Sequence, residues 1–122
     1  MPTEAEWEWA ARGGESYEYA GSDNIDDVAW YTGTGSREVK TKKENGYGLY
    51  DMSGNVCEWC WDWYGSVYSS TPGSGVSFGY GRCRRGCSWY DNADCAQVAF
   101  RLSISPDFRD SQNGFRLVRS AQ

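Results

Sequence analysis

Hydrophobic and polar positions follow a helical period near the N-terminus of the chain. Trp7, Ala10 and Ala11 recur at the spacing of three and four residues that places side chains on one helix face. The glycine pair Gly13-Gly14 is typical of the end of a helix. The pattern therefore predicts a helix from about Glu4 to Arg12, with those three side chains packed inward.

The pattern changes to a period of two residues between Val56 and Tyr64, which indicates a β-strand. Trp59, Trp61 and Trp63 fall on the same face of that strand. Because three indole rings present a large apolar area, we expect this face to be buried and to form the centre of the core.

The remaining stretches are polar and rich in glycine, which predicts loops around a few short strands. Tyr17 to Asn45 is one such loop, anchored by the apolar residues Val28 to Tyr31, and Gly65 to Gly81 is a surface excursion. Arg82 to Trp89 predicts a second strand and Gly114 to Arg119 a third. The segment between those two strands shows no regular pattern. Together these elements predict a small α+β domain.

Length and composition narrow the choice of function. A chain of 122 residues forms one domain, and its net charge of −5 without a Lys/Arg cluster argues against nucleic-acid binding. The absence of histidine removes the usual general base and the usual zinc or iron ligand. Nothing in the chain resembles a signal peptide or a membrane span, which leaves its localisation open.

The five cysteines are an odd number, so at least one is not paired within the chain. Without an export signal, reduced thiols are the default expectation. Cys57-x-x-Cys60 together with Cys83-x-x-x-Cys87 has a tolerable spacing for a four-thiolate zinc site. However, Cys57 and Cys60 point to opposite faces of a strand. We therefore expect the cysteines to be small buried residues.

Three segments carry a resemblance to a known family. Asn45 to Val56 reads Asn-Gly-Tyr-Gly-Leu-Tyr-Asp-Met-Ser-Gly-Asn-Val and is followed by Glu58-Trp59, with Pro2 to Gly14 near the start and Gly114 to Val118 near the end. These motifs resemble the formylglycine-generating-enzyme-type (sulfatase-modifying factor) domain. The resemblance implies a single C-type lectin-like domain over residues 1–122. Relatives usually carry a longer N-terminal portion, so a shortened domain and a fragment both stay open.

The resemblance also implies which catalytic residues to look for. In the oxidase members, two cysteines after a Gly-Gly-Ser-Trp strand bind copper, whereas here only Cys95 follows the corresponding strand Arg85 to Trp89. The iron-dependent relatives need histidines, which this chain lacks. We therefore expect no catalysis. Cys57 and Cys87 stand where relatives usually have Trp and Gly, which suggests a compensating contact or a disulfide between them.

A structural calcium site is a further implication of the resemblance. The family uses a side-chain oxygen, two backbone carbonyls and a glutamate, and these map onto Asp51, Gly54, Val56 and Glu58. Oxygen ligands on a glycine-containing loop suit calcium. The alternative is that Asp51 and Glu58 are solvated or salt-bridged.

The segment Ser88 to Val118 resembles the diversified region of variable proteins made by diversity-generating retroelements, in which template adenines are randomised. Changing the first two bases of the asparagine codon AAC can reach Tyr, Asp, Cys, Phe, Leu, Ser, Ile and Asn, among other residues, but not Gln. Suppose that residues such as Trp89, Arg101, Pro106 and Arg109 form a fixed frame. Each position predicted to vary, except Gln112, then holds a residue that can be reached from AAC. The predicted ligand-binding residues are Tyr90, Asp91, Asn92, Cys95, Phe100, Leu102, Ser103, Ile104, Ser105, Phe108, Asp110, Ser111 and Asn113.

The sequence therefore predicts a non-catalytic receptor or adhesin-like domain that binds a protein or cell-surface ligand. Tyrosine, serine, asparagine and aspartate with a few large apolar residues form a composition suited to a contact surface. An ordinary polar loop would not explain the four apolar residues of this exposed segment, which are Phe100, Leu102, Ile104 and Phe108. Two alternatives stay open: a metal-dependent oxidase relative, and an undiversified structural remnant without a ligand.

Overall fold

The computed structural model describes residues 1–65 and 81–120. It contains one α-helix and a four-stranded sheet in the order β3-β2-β1-β4, with β4 parallel to β1 and the other pairs antiparallel. The elements are α1 Glu4–Arg12, β1 Cys57–Trp63, β2 Arg82–Arg85, β3 Leu102–Ile104 and β4 Asn113–Gly114, with short 3-10 turns at Ile25–Asp27 and Ala93–Ala96. The predicted α+β class is confirmed. Within the described ranges, no helix has the length and apolar character that crossing a bilayer would need.

Helix α1 has the predicted bounds because both of its ends are capped. The Thr3 hydroxyl accepts a hydrogen bond from the Glu6 amide, and the Glu6 carboxylate accepts one from the Thr3 amide. Gly13 ends the helix at a φ of 62°, and a Cβ there would lie 2.9 Å from both the Asn45 side chain and the Gly46 amide. The buried face carries Trp7 and Ala11, as the helical period predicts.

A buried ion cluster attaches the helix to the sheet. The Glu4 carboxylate accepts hydrogen bonds of 2.8 Å from the Arg85 Nε, the Arg101 Nε and the Arg101 Nη2. Arg85 has no exposed surface and also donates to Glu8 and to the Val98 carbonyl. The cluster therefore joins α1, β2 and the segment that leads into β3. Arg101, expected to belong to the fixed frame, thus forms part of the scaffold.

The tryptophan face of β1 is not the centre of the core, so that expectation is wrong. Trp61 is 59% exposed, and Trp59 and Trp63 are half-buried. The helix packs on the opposite face instead, where Cys60 and Cys83 are small enough to admit Trp7 into the same cluster. On the tryptophan side of the sheet, the Arg82 guanidinium lies over the Trp61 and Trp63 rings.

Three further strand expectations change. The predicted strand Arg82 to Trp89 ends at Arg85, because Gly86 and Cys87 both adopt positive φ and turn the chain out of the sheet. The predicted strand Gly114 to Arg119 pairs only at Asn113–Gly114. Conversely, β3 lies in the segment predicted to lack a regular pattern. Most of the Gly65 to Gly81 excursion falls on residues 66–80, outside the described residues.

The cysteines divide into two buried groups. Cys60 and Cys83 lie in the cluster under the helix, whereas Cys57 lies with the Cys87–Cys95 disulfide on the other side of the sheet. The default of fully reduced thiols is therefore wrong for one pair. The predicted contact between Cys57 and Cys87 is confirmed, but Cys87 bonds covalently to Cys95. A four-thiolate zinc site is excluded, because Cys87 is oxidised and the remaining thiols are divided between the two groups.

Removing the charge of Glu4 should be among the most destabilising substitutions in this fold. Glu4→Gln leaves two guanidinium groups, one of them fully buried, without their shared carboxylate. We expect the free energy of unfolding to fall by about 3–5 kcal/mol in a urea titration. The matched control Glu38→Gln removes an exposed charge and should change it by less than about 0.5 kcal/mol. Equal effects of the two substitutions would contradict a stabilising cluster.

The same carboxylate should make stability depend on acid pH. Burial by itself would raise the pKa of Glu4, but hydrogen bonds and charge from Arg101 and Arg85 hold it below its ordinary value. Its stabilising contribution is therefore complete above the unfolded pKa of about 4.3 and is lost as the pH falls through the lower folded pKa. Urea titrations from neutral to acid pH should show this loss in the wild type. In Glu4→Gln the pH dependence below about 4.3 should be flatter, and a parallel curve would assign the acid sensitivity to other carboxyls.

Candidate ligand-binding surface

The strand register places two predicted binding residues on the exposed face of the sheet. Leu102 lies opposite Arg84 and Ile104 opposite Arg82 across β3 and β2. The next strand continues the row, with Trp59 opposite Arg84 and Trp63 opposite Arg82. Side chains on directly opposed residues share a face. The predicted variable strand and the tryptophan face of β1 therefore form one continuous surface, which we call the outer face.

Most of the predicted binding residues are exposed to solvent. Tyr90 is 66% exposed, Phe108 47% and Phe100 38%, which are high values for aromatic side chains. Leu102 and Ile104 are half-buried, and Leu102 packs against the cysteine group. The exposed members of the predicted set are Tyr90, Asn92, Phe100, Ser103, Ser105, Phe108, Asp110 and Ser111.

Three predicted binding residues instead hold the scaffold together. Cys95 is buried in its disulfide, so it does not belong to the exposed surface. Asp91 accepts hydrogen bonds from the amide and the hydroxyl of Ser88, at 2.9 and 2.8 Å. Asn113 pairs with Cys57 in the sheet and accepts a 2.9 Å hydrogen bond from Arg84. These contacts give the three side chains structural roles, whereas ligand binding by Asp91 and Asn113 stays a prediction.

The exposed Tyr90 stands on a turn that is fixed by its neighbours. The Trp89 amide donates to the Asn55 carbonyl at 2.8 Å, and the Trp89 carbonyl accepts from the Gly33 amide at 2.6 Å. The Thr32 amide donates to the Asp91 carbonyl at 2.9 Å. Residues 32–33 and residue 55 therefore hold the turn through backbone hydrogen bonds. The backbone under Tyr90 is held by hydrogen bonds that do not involve its side chain, whose ring lies edge-on to that of Trp89.

Sequence reasoning missed Trp61 and Arg82 as members of the outer face, because it assigned the tryptophans to the core. The sequence nevertheless contains a residue that indicates which face of β1 is buried. Asp62 lies on that side, and its carboxylate accepts a 2.8 Å hydrogen bond from the Glu4 amide at the helix N-terminus. A carboxylate that can satisfy a helix N-terminus marks the face against which the helix packs.

The residues predicted to bind calcium border a cavity of about 420 Å³, except for Gly54. Within the described residues, one Asp51 carboxylate oxygen is buried without a partner, while the other accepts from the Lys40 amide. Both Glu58 oxygens are already engaged by Arg116 at 2.6 Å, and one also accepts from the Trp7 indole. Arg116 therefore supplies a cation where a metal ion would otherwise balance Glu58, so the residues fit calcium only in part. Calcium binding stays a prediction.

The free thiols are protonated at neutral pH. Burial raises the pKa of both Cys57 and Cys83 to about 12, and it raises the pKa of Cys60 as well. The reactive form of cysteine is the thiolate, which is scarce at neutral pH when the pKa is this high. Because the chain also lacks histidine, no described thiol has an imidazole partner to activate it.

Comparisons with known proteins agree with this geometry. The solved structure of Treponema denticola variable protein 1 matches 94% of this chain with 45% identity and a TM-score of 0.87, over 45% of its own chain. A formylglycine-generating enzyme of Streptomyces coelicolor is 33% identical over 99% of this chain and 46% of its own length. The mouse protein named inactive C-alpha-formylglycine-generating enzyme 2 is 32% identical over 99% of this chain and 43% of its own.

The chain thus spans between 21% and 49% of the length of the curated relatives that it matches. The family model described as the sulfatase-modifying factor enzyme 1-like domain matches residues 1–121. This match covers the helix, all four strands and the turn that carries Tyr90. The structure and the comparisons together show that this protein belongs to the sulfatase-modifying factor enzyme 1-like domain family.

Proposed function

We propose that the chain is a non-catalytic ligand-binding domain whose segment 88–118 is diversified by a retroelement. One observation carries the proposal: Tyr90, Phe100 and Phe108 are exposed in a segment whose frame is otherwise fixed. Arg101 belongs to the buried ion cluster, and Ala96 and Val98 are buried. A rigid frame with exposed aromatic side chains is the arrangement that a variable contact surface needs.

The chemistry of the surface favours a protein or cell-surface ligand. Exposed aromatic rings provide contact area at a low cost in side-chain entropy, and Ser103, Ser105 and Asn92 can hydrogen-bond around them. The outer face adds Trp61 and Arg82, residue types that are enriched at the energetic centres of interfaces. The net charge of −5 disfavours nucleic acid as the ligand.

Similarity to Treponema denticola variable protein 1 supports this function over the enzymatic alternative. Relatives named as formylglycine-generating enzymes keep the alternative in view, but a relative of similar identity is named as inactive. The oxidase alternative needs a reactive cysteine pair. Here the cysteine of segment 88–118 is disulfide-bonded, and the buried free thiols have raised pKa values.

Sequencing the DNA that flanks the gene tests the diversification. We expect a near-copy of the codons for 88–118, with adenines wherever the two copies differ, beside a reverse-transcriptase gene. Absence of both from the genome would overturn the diversification. The enzymatic alternative is tested separately, since copper-dependent oxidation of a cysteine-containing peptide by the purified protein would contradict a non-catalytic function.

Substitutions at the variable positions should differ in cost according to their burial. Phe108→Asn changes an exposed side chain and should alter the free energy of unfolding by less than about 0.5 kcal/mol. Leu102→Asn places an amide against the buried cysteine group and should lower it by about 1–3 kcal/mol. Urea denaturation of the two variants measures both changes. A Phe108 variant as unstable as the Leu102 variant would show that Phe108 belongs to the core rather than to a contact surface.

A further inference from the structure

Three sulfur atoms meet beneath the turn that carries Tyr90. Cys57, Cys87 and Cys95 form one buried cluster, and the disulfide joins Cys87 to Cys95. The sulfurs of Cys57 and Cys87 and a carboxylate oxygen of Asp91 all lie within 4.8 Å of one another. The Cys57 thiol points its hydrogen toward Asp91, at 3.8 Å between sulfur and oxygen. A free thiol is thus held beside one sulfur of an existing disulfide.

We propose that Cys57 is the alternative disulfide partner of Cys87, and that internal exchange between Cys87–Cys95 and Cys57–Cys87 tethers or releases the diversified turn. In this step the Cys57 thiol gives up its proton to Asp91 as its sulfur attacks the Cys87 sulfur, so that no free thiolate accumulates at Cys57. The bond from Cys87 to Cys95 breaks, and Cys95 leaves as a thiolate that takes up the proton. One disulfide and one thiol are present before and after the step, so no oxidant or reductant is consumed.

The exchange changes how the turn is held. The Cys87–Cys95 bond closes a loop with a sequence separation of eight residues, and Tyr90 and Asn92 are exposed within it. A Cys57–Cys87 bond would instead attach the end of β2 to the start of β1. The turn would then depend on non-covalent contacts, such as the 2.8 Å hydrogen bond from the Ser53 hydroxyl to the Ala96 carbonyl.

Only one of the three cysteines lies at a predicted variable position. Cys95 is in the set reachable from the AAC codon, whereas Cys57 and Cys87 lie outside that set. Cys87 therefore keeps a partner even when diversification places another residue at position 95. This consequence for ligand display rests on the proposed function, but the exchange itself does not.

Disulfide mapping of the purified chain tests the exchange without any ligand. The protein is equilibrated with reduced and oxidised glutathione, quenched with acid, alkylated and mapped by mass spectrometry without reduction. We expect the wild type to yield mainly the Cys87–Cys95 peptide pair with a minor Cys57–Cys87 pair. In Cys95→Ser, oxidised glutathione should accept the two electrons and the Cys57–Cys87 pair should form in most molecules. Cys57→Ser should show Cys87–Cys95 alone.

Cys60→Ser is the matched control, since it removes a buried thiol from the other group and should leave the wild-type pairing unchanged. Cys57 and Cys87 both alkylated as free thiols in folded Cys95→Ser would overturn the proposal. If Cys95→Ser does not show the near-ultraviolet circular dichroism of a folded protein, the wild-type map decides, and absence of any Cys57–Cys87 pair overturns it. Hydrogen exchange supplies a second measurement: the Tyr90 and Asn92 amides should exchange up to about fiftyfold faster in oxidised Cys95→Ser than in Cys57→Ser, as expected for opening so short a loop.

Discussion

The buried ion cluster around Glu4 is the interaction on which the arrangement of the domain depends. One carboxylate at the start of α1 binds Arg85 from β2 and Arg101 from the segment before β3. Charged groups lose their hydration when buried, so each partner must be present and aligned for the others to be tolerated. The cluster therefore stabilises the arrangement in which α1, β2 and the segment before β3 bring these charged side chains together.

That choice decides which face of the sheet remains available for a ligand. The helix needs Asp62 for its N-terminus and Arg85 for Glu4, and both lie on the side of the sheet that carries Cys60. Small thiols on this side leave room for Trp7. The bulky tryptophans consequently face outward, where Arg82 covers part of their rings. The exposure of the outer face is thus a consequence of how the helix docks.

The positions predicted to vary include exposed side chains and side chains that hold the scaffold, and the codons alone do not distinguish the two kinds. Tyr90 and Phe108 are exposed, whereas Asp91 and Asn113 form hydrogen bonds that fix the turn and the edge strand. A substitution at Asp91 or Asn113 therefore removes a contact of the scaffold, whereas one at Phe108 changes an exposed side chain.

The sequence by itself determined the helix, the family and the absence of a histidine-based site. Helix α1 was predictable because its caps and its apolar period are local, and the motif Asn45 to Val56 was long enough to indicate the fold. The chain pattern also located the apolar anchor Val28 to Tyr31, of which Val28 and Ala29 are buried. These features depend on residues that are close together in sequence.

Only the tertiary structure decided which face of β1 is buried, which cysteines pair and what surrounds Glu58. The alternation of residues shows that β1 has two faces. Which of the two is buried depends on helix α1, which lies some fifty residues away in the sequence. Cys87 and Cys95 bond because positive φ at Gly86 and Cys87 turns the chain back over the sheet. Arg116 reaches Glu58 from across the parallel strand pair, and no local pattern encodes that contact. Each of these outcomes depends on competition between distant groups for the same buried space, which a linear pattern does not contain.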